Sequence, residues 1–273
     1  MHLKMNQIYN DEWTVGSIAF FSRLIIGTGK FKDINQLEKT IQACQPSLVT
    51  IAIRRFQQEI GPANSNLLKI ICANNALILP NTAGSKTPNE AIRLAFLGRE
   101  IVKGLEQNDP NFVKVEVIPD STYLMPDPLG TVKAADYLVK KGFKVFPYIN
   151  ADPILARHLE ELGCVTIMPL GSSIGSNQGI RNLENLRIII EESSLPVIPD
   201  AGIGRPSDAC KAIELGAEAV LTNTAISGSL KPEIMAQAMK LAVLSGRLAY
   251  LASSPPIAPT KGNVSSPKSG VIF

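Results

Sequence analysis

Short apolar, β-rich runs recur along this chain, and amphipathic stretches with helical spacing fill the gaps between them. The runs are LIIG (24–27), LVTIAI (48–53), ALILP (76–80), FVKVEVI (112–118), FKVFPYI (143–149), CVTIMPL (164–170), PVIPDA (196–201) and AVLTN (219–223). Helical periodicity marks 87–104, 131–142, 152–163, 205–216 and a long final segment, 231–252. Several of these open on Thr, Asp or Pro and close on Gly, the residues that cap helix ends. Strands that alternate with helices pair in parallel, and helices cover the sheet. Eight such units in about 250 residues match a (β/α)₈ TIM barrel, which the chain fits better than an open doubly wound sheet. The pattern predicts a single barrel domain over 24–252. An N-terminal β hairpin within 1–23 precedes it, and a Pro-, Ser- and Gly-rich flexible tail, 253–273, follows it.

One strand is unusual. In FVKVEVI, alternation puts Val113, Val115 and Val117 on one face and Lys114 and Glu116 on the other. Helices cover the outer face of a barrel strand, so the valines belong there and the two charges point into the barrel. An interior charge is costly unless paired or used. Lys114 and Glu116 stand about 6.6 Å apart along the strand, with Glu116 nearer the C-terminal mouth where barrel active sites lie. A free lysine is almost wholly ammonium near neutral pH. Burial favours the neutral amine, a nucleophile for carbonyls, whereas Glu116 favours the ammonium and suits a proton shuttle. A structural ion pair is the alternative.

Composition narrows the picture. The 273 residues are 45% hydrophobic and 19% charged, enough for a substantial core. The net charge of +3 is scattered, aromatics are 5%, and no nucleic-acid-binding signature appears, so no nucleic-acid partner is expected. No apolar run approaches membrane length, and residues 1–16 resemble neither a secretory signal nor a transit peptide. Cys44, Cys72, Cys164 and Cys210 form no CxxC pair and read as buried, reduced thiols. With His2 and His158 the only histidines, no metal site and no cofactor are expected.

The last strand ends carry the remaining chemistry. Strand seven runs into VIPDAGIGRPSDA (197–209), strand eight into LTNTAISGS (221–229), and strand six into GSSIGSNQG (171–179). Barrels often bind phosphate at such loops through glycine-exposed amides. Gly202, Gly204 and the amides around Asn223 and Thr224 suit that role. Asp200, where strand seven meets its loop, is a second candidate carboxylate or a helix cap. A lysine, two carboxylates and a phosphate cradle suit a phosphorylated sugar held as an imine and enolised.

The motifs RLIIGTGKF (23–31), TIAIRRF (50–56), LPNTAG (79–84), VKVEVI (113–118), MPDPLGTVKAA (125–135), IGSNQGI (174–180), VIPDAGIGRPSDA (197–209) and LTNTAISG (221–228), in this order, resemble the thiazole synthases of thiamine biosynthesis across almost the whole chain. The resemblance implies a transferase in which Lys114 forms a Schiff base with 1-deoxy-D-xylulose 5-phosphate, with Glu116 and Asp200 as acid/base residues. It places the phosphate against Gly175, Ala201, Gly202, Asn223 and Thr224. It further implies sulfur from the C-terminal thiocarboxylate of a small ubiquitin-like carrier protein, a dehydroglycine-forming partner enzyme, and a homotetramer in bacterial cytoplasm or plastid stroma. The chain departs from the family pattern at Pro119–Asp120, where a small residue is usual. A Schiff-base aldolase and a non-catalytic phosphate-binding barrel are the competing functions.

Overall fold

The computed structural model describes residues 11–58, 62–105 and 109–253. It begins with the expected hairpin, β1 (Trp13–Val15) paired antiparallel with β2 (Ile18–Phe20). Seven parallel strands follow in one curled sheet: β3 (Leu24–Gly27), β4 (Leu48–Ala52), β5 (Leu77–Asn81), β6 (Phe112–Val115), β7 (Lys144–Ile149), β8 (Met168–Pro169) and β9 (Val220–Thr222). Their spatial order is β8-β7-β6-β5-β4-β3-β9. The fold is the TIM-like α/β architecture that the pattern predicts.

The seventh expected strand, 196–201, makes bridges instead of a continuous ladder. Ile198 and Asp200 donate to Ile167 and Pro169 on one side, while Val197 and Pro199 accept from Glu218 and Leu221 on the other. This segment therefore spans the seam between β8 and β9. Pro196 and Pro199 have no N–H to give, which removes two of the bonds that a full ladder would use. The long run 112–118 also leaves its ladder early. Beyond Val115 the backbone turns to the loop after β5, where Glu116 N–H donates to Thr82 Oγ1 at 2.8 Å and Ile118 N–H to the Ser85 carbonyl.

Ten helices are present among the described residues: α1 (Ile34–Cys44), α2 (Ile53–Gln58), α3 (Pro62–Ala73), α4 (Pro88–Lys103), α5 (Pro128–Lys140), α6 (Pro153–Glu161), α7 (Leu183–Glu192), α8 (Pro206–Glu214), α9 (Thr224–Ser227) and α10 (Pro232–Leu251). Thr87, Asp127 and Asp152 accept N-cap hydrogen bonds, each just ahead of a proline at the first helical turn. The Asp127 cap and Pro128 set the start of α5 a few residues before the expected 131. Helix α10 packs on α8 and α1 and closes the ring. The expected flexible tail falls almost wholly on 254–273, outside the described residues.

Three apolar clusters organise the interior. Val113, Val115 and Val117 pack outward against Ala91, Ala134 and Leu138 of the helical layer, as alternation requires. A second layer joins β3, β4 and β5 to α1, α8 and α10. The third fills the barrel axis: Trp13 and Phe20 of the hairpin stack on Ile25, Leu48, Phe112, Phe146, Met168 and Ile198. The hairpin thus plugs the N-terminal end, and the inward charges of Lys114, Glu116 and Asp200 stand at the opposite, C-terminal end. Cys44 and Cys164 are buried, and Cys72 and Cys210 are half-buried instead of buried as expected.

Candidate active site

Inward side chains of β6 alternate from apolar to charged as the strand climbs. Phe112 joins the plug, Lys114 stands above it, and Glu116 reaches the mouth. Asp200 enters from the two-proline segment on the other side of the barrel. Lys114, Glu116 and Asp200 are only 4%, 5% and 4% exposed, yet all three line one open-mouthed cavity of about 230 Å³. Lys114 Nζ lies 3.0 Å from Glu116 Oε1 and 2.5 Å from Asp200 Oδ2.

The cluster holds one cation and two anions, and this imbalance sets its protonation. Burial alone pushes the lysine pKa down, but the charges of Asp200 and Glu116 more than offset it, and the net shift is upward. The resting side chain is an ammonium. The activation that burial could supply is overridden by the second carboxylate, whose approach to Lys114 the strand pattern does not reveal. Tyr148, its ring 5.4 Å beneath Nζ, is fully buried. Burial, reinforced by Asp200 and Glu116, pushes its phenol up, so it stays neutral.

Asn81 completes the floor, and the sequence reading assigned it no role. It faces Lys114 in the β5–β6 register, donates to Glu116 Oε1 at 2.8 Å, and accepts from Ala83 N–H. The signal was available: Leu77, Leu79 and Asn81 alternate inward, and the third is polar where the cavity begins. Thr28, Thr50 and Arg55 also line the cavity without having been singled out.

The expected phosphate residues converge on the same space. Gly175, Ala201, Gly202, Asn223 and Thr224 all line the cavity. Gly202 has φ +74°, and a Cβ there would stand 1.9 Å from Ser172 Oγ, so only glycine fits. Its carbonyl accepts from Gly179 N–H, which ties the loops after β8 and the two-proline segment together. Ala201 holds the left-handed φ of +56° without being glycine, a strained conformation beside Asp200. Gly204 does not line the cavity. It lets the backbone of Asn177 approach, since a Cβ there would meet the Asn177 carbonyl oxygen at 2.4 Å. The Pro119–Asp120 departure forms a local turn, with Asp120 accepting from Thr122 N–H, and Lys114 and Glu116 keep their places.

A lysine amine between two carboxylates, below a ring of loop amides, matches the pattern that the motifs suggest. Residues 14–267 match the family described as thiazole biosynthesis protein ThiG. The chain belongs to this family. It is 53% identical over 261 residues to the thiazole synthase of Porphyra purpurea, covering 96% of this chain and 94% of the relative. It is also 53% identical over 253 residues to the bifunctional protein ThiO/ThiG of Synechocystis, covering 93% of this chain and 38% of that longer protein. Among solved structures it resembles the Amycolatopsis orientalis BexX/CysO complex, with a TM-score of 0.79 at 27% identity, covering 90% of this chain and 98% of the other. Membership in the family makes this chain a biosynthetic enzyme, a thiazole-forming transferase of the thiamine pathway. Its relatives in a red alga and a cyanobacterium fit a bacterial or plastid origin. Among the described residues no helix is long and apolar enough to cross a membrane.

Proposed function

We propose that the enzyme condenses 1-deoxy-D-xylulose 5-phosphate, dehydroglycine and carrier-borne sulfur into the thiazole phosphate carboxylate, with Lys114 as the amine that captures the ketose. The observation that carries this reading is Lys114 Nζ held between two carboxylates at the floor of a cavity rimmed by glycine-rich loops.

The ammonium first gives a proton to Asp200 or Glu116, whose oxygens already touch it. The freed amine adds to the ketone carbon, and the protonated carboxylate returns its proton to the departing hydroxyl. Water leaves and an iminium remains. That iminium keeps the positive charge of the ammonium it replaced, so the two carboxylates that held one hold the other. A carboxylate then takes a proton from the hydroxyl-bearing carbon beside the imine, and return of a proton to the former imine carbon leaves a ketone at that neighbour, the electrophile to which sulfur adds. Asn81 fixes the Glu116 carboxylate for this exchange. The phosphate is held by backbone amides of Gly202, Asn223 and Thr224 and by the loop at Gly175, where left-handed glycines turn N–H groups toward an anion. Ala201 keeps Asp200 and Gly202 in register.

Sulfur arrives as the C-terminal thiocarboxylate of a small ubiquitin-like carrier protein. The similar structure in complex with CysO supports a protein partner for this fold. The fused Synechocystis relative supports a second enzyme, the dehydroglycine source, working in tandem. The working assembly is a homotetramer in bacterial cytoplasm or plastid stroma.

Incubation with the ketose phosphate and borohydride tests this reading. Reduction of the imine leaves a stable adduct, and peptide mapping is expected to place it on Lys114. An adduct on another lysine, or none, overturns the assignment.

A further inference from the structure

The cavity must accommodate more negative charge than its floor can neutralise. Among the described lining residues Lys114 and Arg55 carry positive charge, against Glu116 and Asp200. Lys114 is already saturated by those two carboxylates. Arg55 is not. It sits on α2, just after β4, and is solvent-exposed. Among the described residues no carboxylate lies within ion-pair distance of it, whereas Arg54 beside it lies 3.6 Å from Glu90.

The phosphate side of the mouth has another cation. Lys30 Nζ stands 3.5 Å from where a Cβ on Gly175 would be, and Thr224 Oγ1 is 3.9 Å from the same point. Lys30 thus overhangs the loops that grip the phosphate. Arg55 follows β4, the strand between β3 and β5, and its guanidinium faces Gly29 at the edge of the mouth. The point where a Cβ on Gly29 would be lies 3.9 Å from Arg55 Nη2 and 3.1 Å from Asn223 Nδ2, so the guanidinium borders the Asn223 edge of the phosphate loops.

Resting on the function proposed above, we infer that Arg55 binds the carboxylate of the two-carbon imino acid, the second small substrate. The chemistry selects this anion. The ketose phosphate has its own cradle and cation, and the carrier's thiocarboxylate loses its sulfur in the reaction. The imino acid's carboxylate survives into the product and needs a counter-charge throughout. A guanidinium offers it a planar two-pronged fork, which an ammonium cannot. Arg55 is therefore a binding residue that sets specificity for an α-imino acid over a neutral imine.

The test separates the two substrates. The enzyme and its R55Q and R55K variants are assayed with saturating ketose phosphate and thiocarboxylated carrier while glyoxylate is varied with ammonium, the two equilibrating to the imino acid. R55Q is expected to raise KM for glyoxylate by about tenfold to a hundredfold. R55K recovers part of that loss, and borohydride trapping keeps its ketose phosphate dependence within about twofold. Because Arg55 is exposed, the melting temperature of both variants matches the parent. Weakened trapping in R55Q, equal to or larger than the change in KM, places Arg55 at the phosphate and overturns the inference. Unchanged KM for glyoxylate also overturns it. A parent enzyme that traps no ketose on Lys114 defeats the underlying function instead, an outcome seen before any Arg55 variant is read.

Discussion

The barrel holds two charge clusters, a half-buried one at the N-terminal end and a fully buried one at the C-terminal end, and they are built on opposite plans. At the N-terminal end Arg23 bonds Asp11 at 2.9 Å and Glu218 at 2.9 Å, and Arg247 reaches Asp11 at 2.5 Å. Two cations meet two anions there, with hydrogen bonds also to the carbonyls of Asp11 and Glu218. This network ties the residue before the hairpin to β3, β9 and α10, and its charge is balanced. At the C-terminal end one lysine faces two carboxylates on a cavity wall. Both clusters border open space, but in the balanced one every charge already has an opposite partner. An unbalanced one beside open space keeps a proton acceptor in reserve, which is what proton transfer needs.

Changing Lys114 breaks the comparison most severely. Lys114→Ala is expected to cut turnover by roughly 10³-fold or more and to abolish borohydride trapping. It also leaves Glu116 and Asp200 as facing buried carboxylates, at a cost of about 3–5 kcal/mol in denaturant unfolding at neutral pH. Adding Asp200→Asn is expected to restore most of the stability and none of the turnover. If stability does not return, the cluster is not the simple charge triad described.

The opposite cluster reads out in stability alone. Arg247→Met is expected to lower unfolding free energy by about 1–3 kcal/mol, an estimate reduced because Arg247 and Asp11 are partly exposed. Trapping at Lys114 should not change, and a loss of trapping there would mean the two ends are coupled.

The signs of the pH dependence differ as well. Burial raises the Asp11 carboxyl, but Arg247 and Arg23 outweigh it and hold the pKa below its usual value. Its contribution is present above the unfolded carboxylate pKa of about 3.9 and is lost as pH falls through the folded value. The Lys114 pKa is raised, so its contribution is present below the unfolded lysine value of about 10.4 and fades only as pH rises through the folded one. Acid melts recorded down to pH 2 should therefore converge for Arg247→Met and parent. Alkaline melts should separate parent from Lys114→Ala least at the highest pH.

Asn81→Ala gives the smallest effect. Glu116 loses a donor but keeps Lys114, and trapping is expected to slow by about tenfold, with little change in melting. An unchanged rate would make Asn81 a filler.

How far the sequence foresaw this depends on sequence distance. Lys114 and Glu116 were legible because a period-two strand between helix-period segments has only one inward face. Asp200 was legible from its place at a strand end, yet its contact with Lys114 was not, since that depends on how the sheet curls. The balanced network was invisible for the same reason: Asp11, Arg23, Glu218 and Arg247 come from opposite ends of the chain. Arg55 escaped notice because α2 is six residues long, too short to show periodicity. Pro196 and Pro199 were visible in a predicted strand, and they account for its bridges in place of a ladder.

Those prolines also shape how the closed cylinder yields. On the β9 side the segment accepts two hydrogen bonds, from Glu218 and Leu221, and position 199 can return none. Asp200 rides on this joint. A displacement at that joint would take the Asp200 carboxylate with it, toward or away from the amine that it touches.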